Sequence, residues 1–378
     1  MEEYQAVIVG GGPAGAALGY LLQKQGLRTC IIEKGVFPRE KLCGGLMTEK
    51  TVTLLERIYA TREFPWRNVT SEVEIYLGTT RISRASTRSR FYLVERRDFD
   101  YDLIQRYRAA GGVVREGARV RTVEHRRRRL TLADGTGISY RVLVGADGAN
   151  SQIRRLIAPG YNEKNFCVEA SATEPDDYGP VRVYFSVIPG AYGWRFPKGG
   201  YDAVGMGGEI VRGRDMKAML EEFSRKVGAP VEPARIRGAM IPNGRYLRRP
   251  WREGLLLVGD AAGFIDPVTG EGIYFALLSA TYAAAAVAAL FREGRSFAET
   301  YAADIRRIHA LMDSGNRFRR IFYLPALQPL LLRVRPHSEG NHPVTAWACE
   351  NILADYRCSY GRFLLMYPVL RLRQKREK

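Results

Sequence analysis

The chain has 378 residues, which allows two or three domains with a sizeable core, and its hydrophobic content of 46% is that of a globular protein. Lysine and arginine outnumber aspartate and glutamate by 58 to 40, a net charge of +18, so an acidic partner is expected: a nucleic acid, an anionic lipid surface or an acidic protein. Five cysteines, without a C-x-x-C pair or a zinc-binding spacing, argue against a disulfide framework or a metal site and favour a reducing compartment.

The first elements are a strand, a glycine-rich turn and a helix. The apolar run Ala6–Val9 predicts a buried strand, and a helix is predicted over 16–25. Between them lies G-x-G-x-x-G. Gly10 permits the tight turn, Gly12 lets a pyrophosphate approach the backbone, and Gly15 lets the helix pack on the strand. The helix N-terminus adds free N–H groups and a positive dipole end.

The second strand, Thr29–Ile32, is followed at once by Glu33. This carboxylate lies 18 residues after Gly15, where an acceptor for a ribose hydroxyl is expected. An ordinary strand–helix–strand turn without a ligand is the alternative. Strand, glycines, helix and terminal acid together favour a bound adenine dinucleotide.

A polar loop at 35–45 follows and contains Lys41-x-Cys43-Gly44-Gly45. The two glycines let the backbone approach a flat ligand, which the thiol beside them would face. The alternative for Cys43 is a buried, inert cysteine.

The basic run Arg126–Arg129 has two interpretations. It resembles a nucleic-acid patch, but it lies between the predicted strands Val120–Glu124 and Leu130–Leu132. We favour an exposed hairpin, and no nucleic-acid partner is expected.

The chain then returns twice to the first sheet. The strand Arg141–Val144 ends in G-A-D-G at 145–148. A further buried strand, in the run that begins at Gly254, ends with the carboxylate Asp260, at a sheet edge where ligands bind in open α/β folds. The segment Asp266–Gly272 leads into an Ala-rich helix, whose N-terminus suits a ring with partial negative charge, such as a reduced flavin. We expect this helix to be buried rather than membrane-spanning.

Alternating residues between 161 and 241, such as Val181–Phe185, predict an antiparallel sheet. On one of its strands Tyr192, Trp194 and Phe196 fall on one face at period two. They form either a wall for an apolar ligand or the flavin, or a plain aromatic core.

Three separated pieces, G-G-G-P-A-G with Glu33, G-A-D-G and G-D-A-A-G, resemble the flavoprotein hydroxylase superfamily. The resemblance implies an α/β fold in which a Rossmann-like domain, at 1–60, 91–160 and 250–312, binds FAD in an extended form. An antiparallel β-sheet substrate domain, p-hydroxybenzoate hydroxylase-like, is expected at 61–90 and 161–249, and a helical C-terminal region at 313–378.

The resemblance also implies contacts to FAD. Arg96 matches the R-x-x-F-D element, with Arg97 the less favoured register, and Asp260 would hold the ribityl or pyrophosphate region. Gly272 and Ile273 would donate backbone N–H groups to the isoalloxazine. The expected FAD-binding residues are Gly10, Gly12, Pro13, Ala14, Gly15, Glu33, Lys34, Cys43, Gly44, Arg96, Val120 (through its backbone, to adenine), Asp147, Asp260, Gly270, Gly272 and Ile273.

The stretch at 189–197 matches P-x-x-Y-x-W-x-F-P and, with the K-x-C-G-G loop, resembles the geranylgeranyl reductase family. Those enzymes reduce isolated C=C bonds of polyprenyl chains. The resemblance implies catalytic roles for Cys43, Tyr192 and Trp194, with Tyr192, Trp194 and Phe196 binding the substrate. Residues after Asp313 match nothing in this pattern.

Two other functions stay open on this scaffold. One is an FAD-dependent monooxygenase or halogenase, and the other is a non-catalytic lipid- or quinone-binding flavoprotein. For a reductase, electrons would come from an acidic, ferredoxin-like protein or from NAD(P)H, and the general-acid candidates are Cys43 and a water.

The C-terminal segments predict membrane contact. Apolar residues at 322–332 are flanked by arginines, and 362–378 repeats this arrangement with a basic tail. We expect a cytoplasmic protein that binds peripherally to the anionic inner face of the membrane. The alternative is that these helices pack on the FAD domain.

Overall fold

The computed structural model describes residues 2–175, 178–188, 190–208, 215–324, 343–353, 360 and 362. In chain order its strands are β1 (Glu2–Val9), β2 (Thr29–Ile32), β3 (Leu46–Thr48), β4 (Trp66–Leu77), β5 (Thr80–Val94), β6 (Val113–Arg115), β7 (Val120–Glu124), β8 (Arg129–Leu132), β9 (Gly137–Gly145), β10 (Lys164–Ser171), β11 (Val181–Phe185), β12 (Tyr192–Pro197), β13 (Asp202–Gly208), β14 (Arg237–Pro242), β15 (Trp251–Arg252) and β16 (Leu255–Leu257). Its helices are α1 (Pro13–Lys24), α2 (Glu49–Tyr59), α3 (Arg96–Ala109), α4 (Met216–Lys226), α5 (Ile273–Glu293), α6 (Tyr301–Asp304), α7 (Arg306–Phe322) and α8 (Pro343–Ala348). The predicted α/β class with two sheets is confirmed.

The first sheet contains the predicted dinucleotide strands, in the order β15-β16-β9-β1-β2-β6. β1 lies between β2 and β9 and is parallel to both, and β16 is parallel to β9. The carboxyl ends of these strands therefore meet at one edge of the sheet. Three segments far apart in the chain, ending at Val9, Gly145 and Leu257, converge there on one crevice.

Helix α5 packs against α1 in the core of this part of the molecule. Among the described residues, α5 is the one helix long and apolar enough to cross a bilayer, but 72% of its most apolar window is buried inside the protein. Small residues such as Ala283, Ala284 and Ala286 are almost fully buried and let the helices approach closely. The structure thus agrees with the interpretation of a core helix.

The second sheet has the order β14-β10-β13-β12-β11-β4-β5-β3. It is antiparallel as predicted except for β4 and β11, which pair in parallel. The chain leaves this sheet after β5 for the first sheet and enters it again near β10, so β11 does not follow β4 through a hairpin. The sheet also includes Leu46–Thr48, from within the predicted 1–60 FAD segment, because the K-x-C-G-G loop has already crossed to it.

Residues 126–128 of the basic run lie in the connection of the β7–β8 hairpin, and Arg129 begins β8. Arg127 is exposed, and Arg128 pairs with Glu253 at 2.8 Å, which agrees with the interpretation of an exposed hairpin. At the other end of the chain, α7 packs through Phe318 on Tyr360. Most of the segments predicted to contact a membrane, at 325–335 and 363–378, lie outside the described residues.

Candidate active site

Two glycines shape the turn between β1 and α1. Gly10 has a φ of +106°, and a Cβ on it would lie 2.3 Å from the carbonyl oxygen of Ala146. A Cβ on Gly15 would lie 1.9 Å from the carbonyl oxygen of Gly10. Neither position can accept a larger residue without moving the backbone, so both glycines serve the close packing that the motif predicts.

Gly12 is different, because the protein leaves its side-chain position open. A Cβ there would find its nearest neighbours at 3.9 Å, and these are guanidinium nitrogens of Arg39 and Arg96. Gly12 is the N-cap of α1 and makes no side-chain cap, so first-turn N–H groups such as that of Ala14 face this space. Free N–H groups, the positive end of the helix dipole and two guanidiniums together fit a pyrophosphate.

A buried ion-pair network fixes the two guanidiniums. The Asp100 carboxylate accepts from Arg96 at 2.7 and 2.9 Å and pairs with Arg39 at 3.2 Å. Burial lowers the pKa of Arg96, but the Asp100 carboxylate more than reverses this, so the pKa of Arg96 lies above its ordinary value. Arg96, and not the exposed Arg97, therefore faces the glycine turn. The sequence did not single out Arg39, since no motif marks it in its polar loop.

The Glu33 carboxylate lies at the end of β2, and the backbone orients it. It accepts from the N–H groups of Gly11 at 2.8 Å and Gly35 at 3.0 Å, and it pairs with Arg39 at 3.3 Å. These contacts hold an acceptor at the carboxyl edge of the sheet, where the ribose of a dinucleotide binds in this type of fold. The predicted role of Glu33 is therefore geometrically possible.

Three other predicted cofactor residues lie around this edge. A backbone hydrogen bond ties the segment before β7 to the carbonyl oxygen of Glu33, so Val120 lies close by. Lys34 is exposed. Asp147 has its carboxylate occupied locally, by the Ser151 hydroxyl at 2.5 Å and by two backbone N–H groups. The geometry gives Asp147 a role in shaping the loop after β9, and its contact to FAD stays a prediction.

Asp260 lies next to the start of α5. It follows β16 in a short 3₁₀ turn, and a Cβ on Gly272 would lie 3.3 Å from its Oδ1. Burial raises the pKa of Asp260, and the cations of Lys41, Arg96 and Arg154 oppose this increase. The third converging segment thus places an acceptor within the field of Arg96 and beside the N-terminus of α5.

The loop 266–272, which leads into α5, is held by three tyrosine hydroxyls from three parts of the chain. Each hydroxyl donates to an oxygen of this loop: Tyr192 to the carbonyl of Thr269, Tyr323 to the carbonyl of Val268 at 3.1 Å, and Tyr360 to the carboxylate of Asp266 at 2.9 Å. The loop is therefore attached to β12 on one side and to the C-terminal helices on the other.

The same loop is tied to α2 through Glu271. This buried carboxylate accepts from Thr48 at 2.7 Å and Thr51 at 2.8 Å, and it forms an ion pair with Lys50 at 2.5 Å. A buried ion pair is tolerated when further hydrogen bonds satisfy its charges, as the two threonines do here. The start of α5, where Gly272 and Ile273 present the N–H groups predicted to meet the flavin, is thereby fixed.

The K-x-C-G-G loop lies directly against the aromatic strand β12. A Cβ on Gly44 would lie 2.9 Å from the Phe196 ring and 3.4 Å from Nε1 of Trp194. Along β12, the ring centroids of Tyr192 and Trp194 are 5.9 Å apart, and those of Trp194 and Phe196 are 6.1 Å apart. Two motifs that the sequence presents separately therefore form one continuous wall.

This wall bounds a cavity of about 340 Å³ that also borders the loop 266–272. Cys43, Gly44, Gly270, Gly272 and Ile273 line it together with the three rings, so the predicted flavin and substrate residues share one space. The remaining lining is mainly apolar and comes from the second sheet and the C-terminal helices, including Val73, Ile75, Phe91, Val181, Val183, Phe185 and Phe322. The catalytic role of the half-buried Cys43 stays a prediction.

Residues 3–173 match the model of a family described as an FAD binding domain. A geranylgeranyl diphosphate reductase from Rhodobacter capsulatus is 29% identical, over 78% of this chain and 77% of that protein. A digeranylgeranylglycerophospholipid reductase from Methanocaldococcus jannaschii is also 29% identical, over 73% of this chain and 74% of its own. A geranylgeranyl bacteriochlorophyll reductase-like protein from Thermoplasma acidophilum, of known structure, aligns over 98% of this chain and 100% of its own, with a TM-score of 0.75 at 21% identity.

The chain is an FAD-dependent oxidoreductase that is similar to geranylgeranyl reductases. Its residues fit FAD on two structural grounds. A Cβ at Gly12 would intrude on the space at the N-terminus of α1, and Nε of Arg39 is buried without a hydrogen-bond partner among the described residues. Within those same residues, no group of three or more His, Cys, Asp and Glu side chains could hold a metal ion.

The sequence does not mark one polar side chain of this cavity. Glu169 of β10 is buried in the cavity wall and accepts from Nε1 of Trp194 at 2.9 Å. Burial raises the pKa of Glu169, the Lys198 cation and the indole N–H oppose this, and Glu95 adds to it. A glutamate in a strand is ordinarily expected to face solvent, and no neighbouring residue in the sequence marks this one.

Proposed function

We propose that the protein is a reductase that saturates isolated C=C bonds in the polyprenyl chain of a lipid or prenylated cofactor. The observation that carries this proposal is the mainly apolar cavity that meets both the K-x-C-G-G loop and the loop 266–272. A prenyl chain is apolar along its length, so its burial there contributes ~25 cal/mol for each Å² removed from water. The names of the Rhodobacter and Methanocaldococcus relatives support the same substrate class.

Bound FAD supplies the hydride in this reaction. The chain's own residues place the alkene and exclude water. The Trp194 and Phe196 rings, stacked at 23°, give the prenyl chain a flat surface. Tyr192 lines the same cavity, and its hydroxyl donates to the Thr269 carbonyl. Tyr192 therefore fixes the position of the aromatic wall relative to the start of α5.

The anaerobically reduced protein is expected to add two hydrogens per C=C bond to geranylgeranyl diphosphate, a mass gain of ~2 Da for each bond saturated. Mass spectrometry of the extracted lipid measures this gain, and protein stripped of FAD is the control. We propose an acidic ferredoxin-like protein as the electron donor because the protein has a net charge of +18. The assay is repeated with reduced ferredoxin and then with NADPH in place of the chemical reductant, and the rates with the two donors are compared. A product that gains oxygen in air, or an unchanged lipid with fully reduced flavin, contradicts the proposed function.

We also propose that the protein binds peripherally to the anionic inner face of the membrane, from the cytoplasm. Near the end of α7, Arg317, Arg320, Ile321 and Leu324 are spaced at i, i+3, i+4 and i+7, and all four are exposed. The fractional exposures of Ile321 and Leu324, 41% and 46%, are high for apolar side chains. Phe322, which lies on the buried face of this helix, lines the cavity. An interfacial surface beside the cavity would let a lipid reach it from the bilayer.

In co-sedimentation, the wild-type protein is expected to bind phosphatidylserine vesicles at low salt and to dissociate as salt rises, since salt screens the arginine–lipid attraction. The double variant Ile321→Glu/Leu324→Glu should bind more weakly, as should a chain without residues 371–378. Val69→Glu adds a charge at a 39% exposed valine of β4 and is the matched control. Equal recovery in the supernatant with and without anionic vesicles at low salt rejects membrane binding.

A further inference from the structure

Saturation of an alkene by a hydride leaves the second carbon in need of a proton. Glu169 supplies a carboxyl group in the cavity wall, and Trp194 is its hydrogen-bond donor. Trp194 reaches Glu169 across β13, because the residue between them is Gly205: β13 pairs Gly205 with Glu169 on one side and with Trp194 on the other. A Cβ on Gly205 would lie 2.3 Å from the indole ring, so this glycine is what allows the indole N–H to meet the carboxyl.

Burial favours the neutral form of Glu169, whereas the Lys198 cation, the Trp194 indole and the Cys43 backbone N–H favour the carboxylate. The ammonium of Lys198, whose side chain is 3% exposed, makes an ion pair with Glu95 at 3.0 Å, so its charge is already matched. Glu95 and Glu169 are the two carboxyls near this one cation, and an ionised Glu169 would leave a buried excess of negative charge. The raised pKa of Glu169, caused first by its burial, agrees with this balance.

We propose that Glu169 is protonated in the resting enzyme and is the proton donor to the alkene, an inference that rests on the proposed reductase function. The alkene takes a hydride on one carbon, which oxidises the reduced flavin, and a proton on the other. The O–H bond of Glu169 breaks, a C–H bond forms, and the carboxyl is left as a carboxylate. The Trp194 N–H and the Lys198 cation stabilise that carboxylate. It regains a proton from solvent past Glu95, whose side chain is 25% exposed, before the next turnover.

Infrared spectroscopy tests the protonation state without substrate. The wild-type protein with FAD is expected to show the C=O stretch of a protonated carboxyl that shifts in D2O and is absent from Glu169→Gln. The difference spectrum isolates this group from other buried carboxyls. Glu74→Gln is the matched control, since Glu74 is a buried glutamate of the same sheet that is ion-paired with Arg81 and Arg182. A wild-type minus Glu169→Gln spectrum without such a band overturns the proposal.

Proton transfer is tested by mixing each reduced variant anaerobically with geranylgeranyl diphosphate and following flavin reoxidation. Glu169→Gln is expected to slow this step at least ~100-fold, a usual loss when a general acid is removed, while FAD content and reduction by dithionite stay at wild-type levels. Glu169→Asp, which keeps an acid, should recover part of the rate.

The outcomes separate the two proposals. If the wild-type protein reduces no prenyl lipid, the proposed function fails, and the donor role of Glu169 with it. If it reduces the lipid and Glu169→Gln does so equally fast, only the role of Glu169 is overturned. Cys43→Ser is run beside it, and a loss of reoxidation confined to Cys43→Ser assigns the proton to Cys43 instead.

Discussion

Gly12→Asp is expected to give a folded protein that purifies without FAD, whereas the wild-type protein carries one FAD per chain. A side chain at this position enters the space at the N-terminus of α1, and its nearest neighbours are Arg39 and Arg96. An aspartate there would pair with these guanidiniums and occupy the pyrophosphate site with its own negative charge. Flavin absorbance relative to protein concentration measures the loss, and circular dichroism verifies the fold.

Gly160→Asp is the matched control for this substitution. It introduces the same charge at a glycine whose φ is not in the left-handed region and whose Cβ would contact nothing within 4 Å. It should retain all of its FAD. Full flavin occupancy in Gly12→Asp would show that the dinucleotide binds elsewhere.

Trp194→Ala is expected to destabilise the protein by ~3–5 kcal/mol and to raise the KM for the prenyl lipid, with FAD content close to that of the wild type. The indole is 9% exposed, packs between Tyr192 and Phe196, and donates to Glu169. Its removal opens a hole in the cavity wall and leaves a buried carboxyl without that donor. Urea unfolding measures the stability, and steady-state reduction of geranylgeranyl diphosphate measures KM.

Trp66→Ala separates the loss of packing from the loss of the substrate wall. Trp66 is a half-buried tryptophan of the same sheet whose ring packs against Tyr92, with the ring centroids 4.9 Å apart, and it is not among the residues that line the cavity. It should lower stability and leave KM unchanged. Loss of FAD from Trp194→Ala with unaltered lipid affinity would contradict the placement of the prenyl chain along β12.

The parts of the site that the sequence predicted are those fixed by local backbone geometry. Gly10 and Gly15 occupy positions where any side chain would collide with the backbone, so their spacing alone predicts the turn. The position of Glu33 is predictable as well, because β2 is parallel to β1 and must therefore end beside that turn. The sequence identifies the motif that contains Gly44 and the motif that contains Trp194 and Phe196, but it does not predict that the two motifs are in contact.

The residues that the sequence did not predict depend on partners brought together by the fold. Glu271 meets Thr48 across 223 positions of sequence, and Glu169 meets Trp194 across the intervening strand β13. Arg39 gains its role from Asp100, on a helix of a later segment. Polar residues of this kind look like ordinary surface residues until the topology buries them. The parallel pairing of β4 with β11 was missed for the same reason, because it depends on an excursion through the other sheet.

Tyr192 links the selectivity for the prenyl substrate to the surroundings of the flavin. Its ring is part of the wall against which a prenyl tail would lie, and its hydroxyl secures the Thr269 carbonyl before α5. A smaller residue there, selected for a bulkier lipid, would also release the peptide that leads to the cofactor, so a gain in substrate range would alter the redox behaviour. Smaller residues at Val73 and Ile75 of β4, on the second sheet, would enlarge the cavity without changing the loop before α5. We therefore expect related chains with different substrate preferences to differ at these two positions of β4.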